Sequence, residues 1–380
     1  MTRIFEKCLL SIQEGTILPV VLIFLLNALM YAPTVNYPLL WDDDSLIQKS
    51  NGLSGFDKLD DAFTGHYLAA ISDRQTHLPY YRPVSLSVLV IQKTLFGDNR
   101  AGYRLINFFT HLLSAILLFL TSRWFLRERL RIVPGTTGVP ALFASMLFCS
   151  LPYNMDAVMF ITDLGDLMVL SALLLALVAC EQFLEKGRIL SLAYLFLCSL
   201  VALGSKETGI VVAPLLLLWA LLRARPINRR RLIAALTLPA LCTVAYMIGR
   251  SLFLADTTQL SLKTAIFRYP GDILVALRWA LLPHPVSLME AAPASMLATS
   301  WWIGVLLLLL LAVLIFRLVR RQPGICFLIL TFFLVVTPSV LPPRWATCFL
   351  PDTSMSPALP LPCWRPADML PPAAHSGRSC

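Results

Sequence analysis

Three adjacent carboxylates, Asp42, Asp43 and Asp44, follow Trp41 in the stretch YPLLWDDDSLIQKSN, directly after a long apolar run. Neighbouring side chains on one backbone cannot all face the same way, so one or two of these acids can point into a site. Crowded carboxylates raise one another's pKa, which suits a general base, and they also offer oxygen ligands to a divalent cation such as Mg2+ or Mn2+. The plainer alternative is a solvated helix cap beside an interfacial tryptophan. A second group lies in YYRPVS, where Tyr81 and Arg82 precede Pro83. An arginine at a proline-initiated helix start can clamp a phosphate, or simply face lipid headgroups. A third group, in LPYNMDAVMFITDLGDLM, holds Asp156, Asp163 and Asp166. Residues 163 and 166 share a face if the segment is helical. An N-cap role would explain Asp163 but not all three acids. In LGSKETGIVVAPL, Lys206 and Glu207 sit between two apolar runs with almost no loop. They either form an exposed pair in a tight turn or line a cavity, where the lysine could neutralise a leaving phosphate. Asn107 and His111 lie one helical turn apart inside an apolar run, where hydrogen bonding to a neighbouring helix is the common fate of such residues.

The elements that must position these groups are transmembrane helices. The chain of 380 residues is 57% hydrophobic and only 14% charged, and its mean hydropathy is +0.73. A soluble domain would carry about a quarter charged residues. Apolar stretches near 16–35, 103–124, 138–153, 164–184, 189–205, 208–224, 232–254, 299–319 and 325–341 predict about nine spans, so the expected class is an all-α polytopic membrane protein. A β-barrel would need short alternating segments instead. Amphipathic helices lying in the interface are expected at 80–97, where Gln92 and Lys93 interrupt the apolar pattern, and at 269–286, with Asp272 and Arg278 on the polar side. The nine cysteines are scattered without metal-ligand spacing, and most lie inside apolar runs, where they read as small apolar residues of the spans.

The net charge of +9 comes from arginines and lysines gathered in short loops: Arg3 and Lys7, Arg123 to Arg131, Lys186 and Arg188, Arg223 to Arg231, and Arg317 to Arg321. That distribution is a topology signal and argues against nucleic acid. With nine spans, all of these loops fall on one side, which the positive-inside rule makes cytoplasmic. The N-terminus is then cytoplasmic behind a retained anchor, and all four polar groups meet on the opposite face, the first within a long loop at 36–102. The membrane domain is expected over 1–341. From 342 to 380 the chain becomes rich in proline and small residues, as in a disordered tail or a shortened or frameshifted end.

The order of these motifs resembles the GT-C fold glycosyltransferases, closest to the transmembrane O-mannosyltransferases that carry tetratricopeptide repeats and their bacterial relatives. Members of that group show W-D-D, Y-R-P-[LV], H-P-x-x-x-E-A-V followed by R-x-D-L-L, and A-K-E-x-G. Here these are matched, over roughly residues 16–220, by Trp41-Asp42-Asp43, by Tyr81-Arg82-Pro83-Val84, by Leu151-Pro152 with Asp156-Ala157-Val158 and Asp166-Leu167, and by Ser205-Lys206-Glu207 with Gly209. Leu151 replaces the family's histidine, and Leu164 its arginine. The family continues through an R-Y-L-Y-L-P-like stretch into more spans. Here PPRWATCFLP begins similarly before the proline-rich tail, which favours a shortened or frameshifted end, and no repeat is visible.

The resemblance implies sugar transfer from a polyprenyl-phosphate donor to an acceptor hydroxyl on the extracytoplasmic face, with inversion at the anomeric carbon. Asp43, or a neighbour in the triplet, would be the base, Arg82 and Lys206 would offset charge on the departing phosphate, and Asp163 or Asp166 would position the acceptor or complete the site. The remaining polar residues named above, Tyr81, Asn107, His111, Asp156 and Glu207, are expected to line the substrate site. No cofactor is required, although a divalent cation would fit. The partners expected are the lipid-linked donor, an acceptor and membrane lipids. Generally short loops, and the lack of N-x-[ST] sequons in the outer ones, lean towards a bacterial inner membrane, with the endoplasmic reticulum as alternative. A multi-pass transporter and a non-catalytic remnant of a glycosyltransferase are the rival readings.

Overall fold

A computed structural model describes residues 15–40, 43, 47, 54–64, 81–133, 135–223, 228–253, 269–274, 276–278 and 294–340. Asp42, Asp44 and the tail expected beyond 341 lie outside these residues. The described residues form helices and no strands. In chain order the main helices are α1 (Ile17–Tyr31), α2 (Pro83–Phe96), α3 (Arg100–Glu128), α4 (Gly138–Ser150), α5 (Tyr153–Met159) and α6 (Leu164–Lys186). They continue as α7 (Ile189–Ser205), α8 (Val212–Leu221), α9 (Arg229–Phe253), α10 (Ala294–Leu318) and α11 (Pro323–Val340).

Five stretches are long and apolar enough to cross a bilayer: 17–36, 100–128, 161–186, 229–252 and 301–318. The helices at 83–96, 138–150, 189–205, 207–221 and 323–338 are apolar but shorter. Their surfaces identify the solvent. Along α10, Leu306, Leu309, Leu310, Val313 and Phe316 are all exposed, and α1 and α9 carry similar outward rows. Apolar faces of this extent are stable against hydrocarbon and not against water. The chain is an α-helical, multi-pass membrane protein.

The helix ends follow local rules. Pro83 opens α2, where its missing N–H costs nothing. Asn99 caps α3 by accepting from Ala101 N. Gly187 closes α6 with φ 67° in the left-handed region. The most enclosed helix, α6, packs against α3, α7, α8 and α9, and α11 packs on α8, around a core that includes Leu173, Leu203, Leu215, Trp219 and Phe327. A second core joins α1, α3 and α4 through Ile23, Ala115, Phe119 and Leu142. Serines tie these helices where the medium offers no water: Ser145 donates to Ala115 O at 2.6 Å, and Ser114 meets Ser171 at 2.9 Å. The five cysteines among the described residues are free and buried.

The two interfacial helices differ in outcome. Helix α2 forms within the expected range, but Gln92 and Lys93 are buried rather than wet. Lys93 is held by Ile47 O at 2.5 Å and by the carboxylate of Asp98 at 2.6 Å, so its charge serves the first outer loop. Of the second, residues 269–274 and 276–278 are helical; Tyr269 bonds Thr337 of α11 at 2.8 Å, and Pro270 presses its carbonyl against Gly304 of α10.

Candidate functional site

The site forms at the end of the bundle where α2 and α6 begin and α7 ends. Two glycines make the approach possible. A Cβ at Gly165, in the first turn of α6, would lie 2.8 Å from Ser205 O and 2.9 Å from Ser85 Oγ. A Cβ at Gly209 would lie 1.9 Å from Ala202 O, so the turn between α7 and α8 folds back as tightly as it does only with glycine there. Ser85 Oγ then donates to Ser205 O at 2.7 Å and pins α2 to the end of α7.

This packing presents Lys206 to the start of α6. Its ammonium donates to the Asp166 carboxylate and lies 3.7 Å from that of Asp163. The neighbouring Glu207 accepts from Arg82 Nε at 3.0 Å and Nη2 at 2.7 Å, a bidentate pair across 125 positions of sequence. All four of these side chains at Arg82, Lys206, Glu207 and Asp163 remain partly open, as does Asp166. Asp156 is half-buried on α5; burial, and then the charge of Asp163, raises its carboxyl above the usual range. Tyr81, beside Arg82, is buried: its ring lies 5.7 Å from that of Tyr246, and its hydroxyl donates to Phe63 O at 3.2 Å. It therefore fastens the segment ahead of α2 to α9.

Asp43 lies at the same end of the bundle, in the segment between α1 and α2, and meets the backbone just before Asp163. Its two carboxylate oxygens accept from Ile161 N at 3.0 Å and Thr162 N at 3.1 Å, immediately before Asp163. The side chain is fully buried, which differs from the open general base expected of it. Burial pushes its carboxyl up from the ordinary 3.8 to about 6, against the pull of those two N–H donors, the Thr162 hydroxyl and the charge of Arg104. A carboxyl raised in the folded state holds its proton better folded than unfolded. Its stabilising contribution is complete below the unfolded value and disappears as pH rises through the folded one. Two units correspond to about 3 kcal/mol. The melting temperature of the wild type, measured relative to Asp43→Asn, is therefore expected to rise as pH falls from about 6.5 to about 4, between the folded and unfolded values. Parallel curves for the two proteins across that window would contradict this.

Asn107 and His111 do not reach the cluster's surface. Both are fully buried on α3. Asn107 Nδ2 donates to Phe160 O at 2.8 Å and Ala157 O at 3.3 Å, which holds the α5 turn that carries Asp156 and leads to Asp163. One turn deeper, His111 Nδ1 meets Asn27 Oδ1 at 2.6 Å, and its ring stacks on Phe148. These residues support the site from beneath, and Asn107 Oδ1 and His111 Nε2 are buried with no hydrogen-bond partner among the described residues.

Arg104 carries more of the geometry than any residue singled out from sequence. It is 1% exposed. Its guanidinium donates to the carbonyls of Thr34 at 3.1 Å, Tyr37, Pro38 at 2.6 Å and Met159 at 3.3 Å. It thus joins the end of α1, the segment leading to the aspartate triplet and the end of α5. A charged residue placed within an apolar run was the available signal, because such placement is costly without a purpose.

Among the described residues no group of three or more His, Cys, Asp or Glu has metal-binding geometry. Asp42 and Asp44, which would have to take part in such a site at the triplet, are not among them. Comparison with known protein families, curated proteins and solved structures finds no match to this chain.

Proposed function

We propose that the protein transfers a sugar from a polyprenyl-phosphate donor to an acceptor hydroxyl at the end of the bundle that holds Asp43, Arg82, Asp163, Asp166, Lys206 and Glu207. The observation that carries this reading is the Lys206 cluster itself. Lys206 and Arg82 stand beside three carboxylates, Asp163, Asp166 and Glu207, although the five residues come from distant parts of the chain. A lipid-linked donor keeps its tail in hydrocarbon and its phosphate at headgroup level, which is where cations and acids at helix ends can act on it. The order of the W-D-D, Y-R-P-V and S-K-E-T-G motifs, which resembles GT-C glycosyltransferases, supports the same chemistry.

The roles follow from what each side chain can do. The Lys206 ammonium has three N–H donors, of which Asp166 takes one, leaving capacity for a phosphate oxygen of the departing lipid. Bond cleavage at the anomeric carbon leaves negative charge on that phosphate, and Lys206 with Arg82 offsets it. Asp163 and Asp166 position the acceptor. A carboxylate of the triplet removes the acceptor's proton as its oxygen attacks. Because Asp43 is buried on the backbone of Ile161 and Thr162, its part is to fix the triplet in place, and the base is Asp42 or Asp44. Inversion at the anomeric carbon is the outcome of such a single displacement.

The reading includes nine crossings, with α1, α3, α4, α6, α7, α8, α9, α10 and α11 as spans, and the arginine-rich ends in the cytoplasm of a bacterial cell. Full-length protein in vesicles containing labelled polyprenyl-phosphate sugar is expected to move label from lipid to a hydroxyl acceptor. Label that crosses the bilayer unconverted would overturn transfer and favour a transporter.

A further inference from the structure

The opposite end of the bundle contains a second chemical environment that the sugar-transfer reading does not use. Arg129 follows Arg104 on the same chain by 25 positions, which along a helix is about 37 Å. That is close to the thickness of a bilayer from one headgroup layer to the other. At this far end basic residues converge from several helices. Arg123 donates to Gly15 O at 2.7 Å ahead of α1, Arg223 pairs with Glu181 at 3.0 Å, and Arg231 donates to Glu185 O at 2.7 Å.

Between the end of α3 and the start of α11 lies a cavity of about 620 Å³. Its inner wall is apolar and aromatic, built from Phe125, Trp219 and Phe327. The Arg129 guanidinium lies 3.7 Å over the Trp219 ring. Its mouth is basic: Arg127, Arg131, Arg320 and Arg321 line it with Arg129. Arg127 is matched by Glu128 at 3.1 Å, and Glu181, at the inner wall, is matched by Arg223. Arg131, Arg320 and Arg321 have no ion pair among the described residues.

The walls are shaped, not incidental. Arg131 holds a left-handed backbone with φ 55°, a conformation that an arginine adopts at a cost. A Cβ at Gly324 would lie 2.7 Å from Leu130 Cδ2 and 3.4 Å from Arg129 O, so the first turn of α11 lies directly against residues 129 and 130. The 18-residue helix α11 also begins here, and its N-terminal end adds positive potential to the arginines.

We propose that this cavity binds one anionic phospholipid of the arginine-rich leaflet, with the headgroup phosphate at Arg131, Arg320 and Arg321 and the glycerol and upper acyl chain against Phe125, Trp219 and Phe327. A free anion would use the arginines and leave the aromatic wall wet. A zwitterionic lipid would use the wall and leave unmatched charge at the mouth. An anionic lipid matches both surfaces at the depth at which such headgroups lie.

The test uses full-length protein in phosphatidylcholine nanodiscs with and without phosphatidylglycerol, reading lipid retained on the protein by native mass spectrometry and the melting temperature. Phosphatidylglycerol is expected to be retained and to raise the melting temperature. The double variant Arg320→Gln/Arg321→Gln is expected to lower retention by roughly tenfold to thirtyfold, at about one headgroup-level charge interaction per arginine. Arg131→Gln provides a second variant if the first does not fold, judged by its melting temperature in phosphatidylcholine alone. Arg229→Gln/Arg230→Gln, on exposed arginines outside the cavity, is expected to leave retention unchanged. Equal losses in this control would overturn the site in favour of general surface charge. Stabilisation by inorganic phosphate without phosphatidylglycerol would overturn the lipid as its occupant.

Discussion

Arg104→Gln is expected to destabilise the outer end of the bundle by about 3–5 kcal/mol, the cost of breaking a buried charge away from its partners. The guanidinium is enclosed and bonds the carbonyls of Thr34, Tyr37, Pro38 and Met159, and its charge acts on the buried carboxylate of Asp43. Glutamine is shorter and has one amide, so it cannot bridge the end of α1 and the end of α5 together. The carbonyls it abandons lie where water cannot readily replace it, and each such loss carries a desolvation cost. Asp43 would lose a compensating positive charge at the same time. Arg104→Lys keeps the charge but offers a point donor in place of a planar fork, so it should fall between the two. Thermal unfolding in nanodiscs, together with the rate at which added protease nicks the 36–102 loop, measures the effect. An unchanged melting temperature and an unchanged nicking rate in Arg104→Gln would contradict it.

Lys206→Gln is expected to lower sugar transfer by roughly a hundredfold to a thousandfold, the usual effect of removing one group that stabilises transition-state charge. The variant should fold, because Lys206 is partly open and its removal leaves Asp163 and Asp166 with access to water. The loss should fall on kcat more than on KM, since the charge on the departing phosphate develops during bond cleavage. Lys206→Arg keeps a cation beside Asp166 and should recover part of the rate. A purely structural lysine would behave differently: the glutamine variant would lose melting temperature and retained protein in proportion to activity. Full transfer by Lys206→Gln, with donor turnover confirmed in the wild type, would remove Lys206 from the mechanism. The bidentate pair of Arg82 and Glu207 lies one residue along and holds the second cation at the same end, so the two effects will not add independently.

The sequence by itself determined the class and the ends of the molecule. Apolar runs of 18 to 20 residues such as Trp301–Leu318 and Ile17–Asn36 admit no other solvent than lipid, and they became helices because lipid leaves backbone groups no partner but one another. Arginines concentrated in alternate short loops already pointed to a basic end and an acidic one. Spacing was informative wherever the chemistry was local: Pro83 at a helix start, Asp163 and Asp166 a turn apart, and glycine at 209 in a tight turn. The shorter helices, such as Gly138–Ser150, were less plain, since an apolar run of that length is compatible with a core helix as well as with a crossing.

Only the tertiary structure decided which polar groups stay open and which are consumed in holding the others. Asp43 and Lys93 look like exposed charges in the sequence, yet both are buried, on the backbone at Ile161 and Ile47. Asn107 and His111 lie one turn apart in an apolar run, and which side of that run meets α1 and the α5 turn depends on how α3 is rotated in the bundle. Arg104 could not be ranked above any other boundary arginine until the carbonyls of four residues, from positions 34 to 159, were brought around it. The physical reason is common to all of them. Apolar periodicity records the contrast between a residue and its solvent, whereas the partner of a buried charge is chosen by packing between segments that sequence distance does not relate.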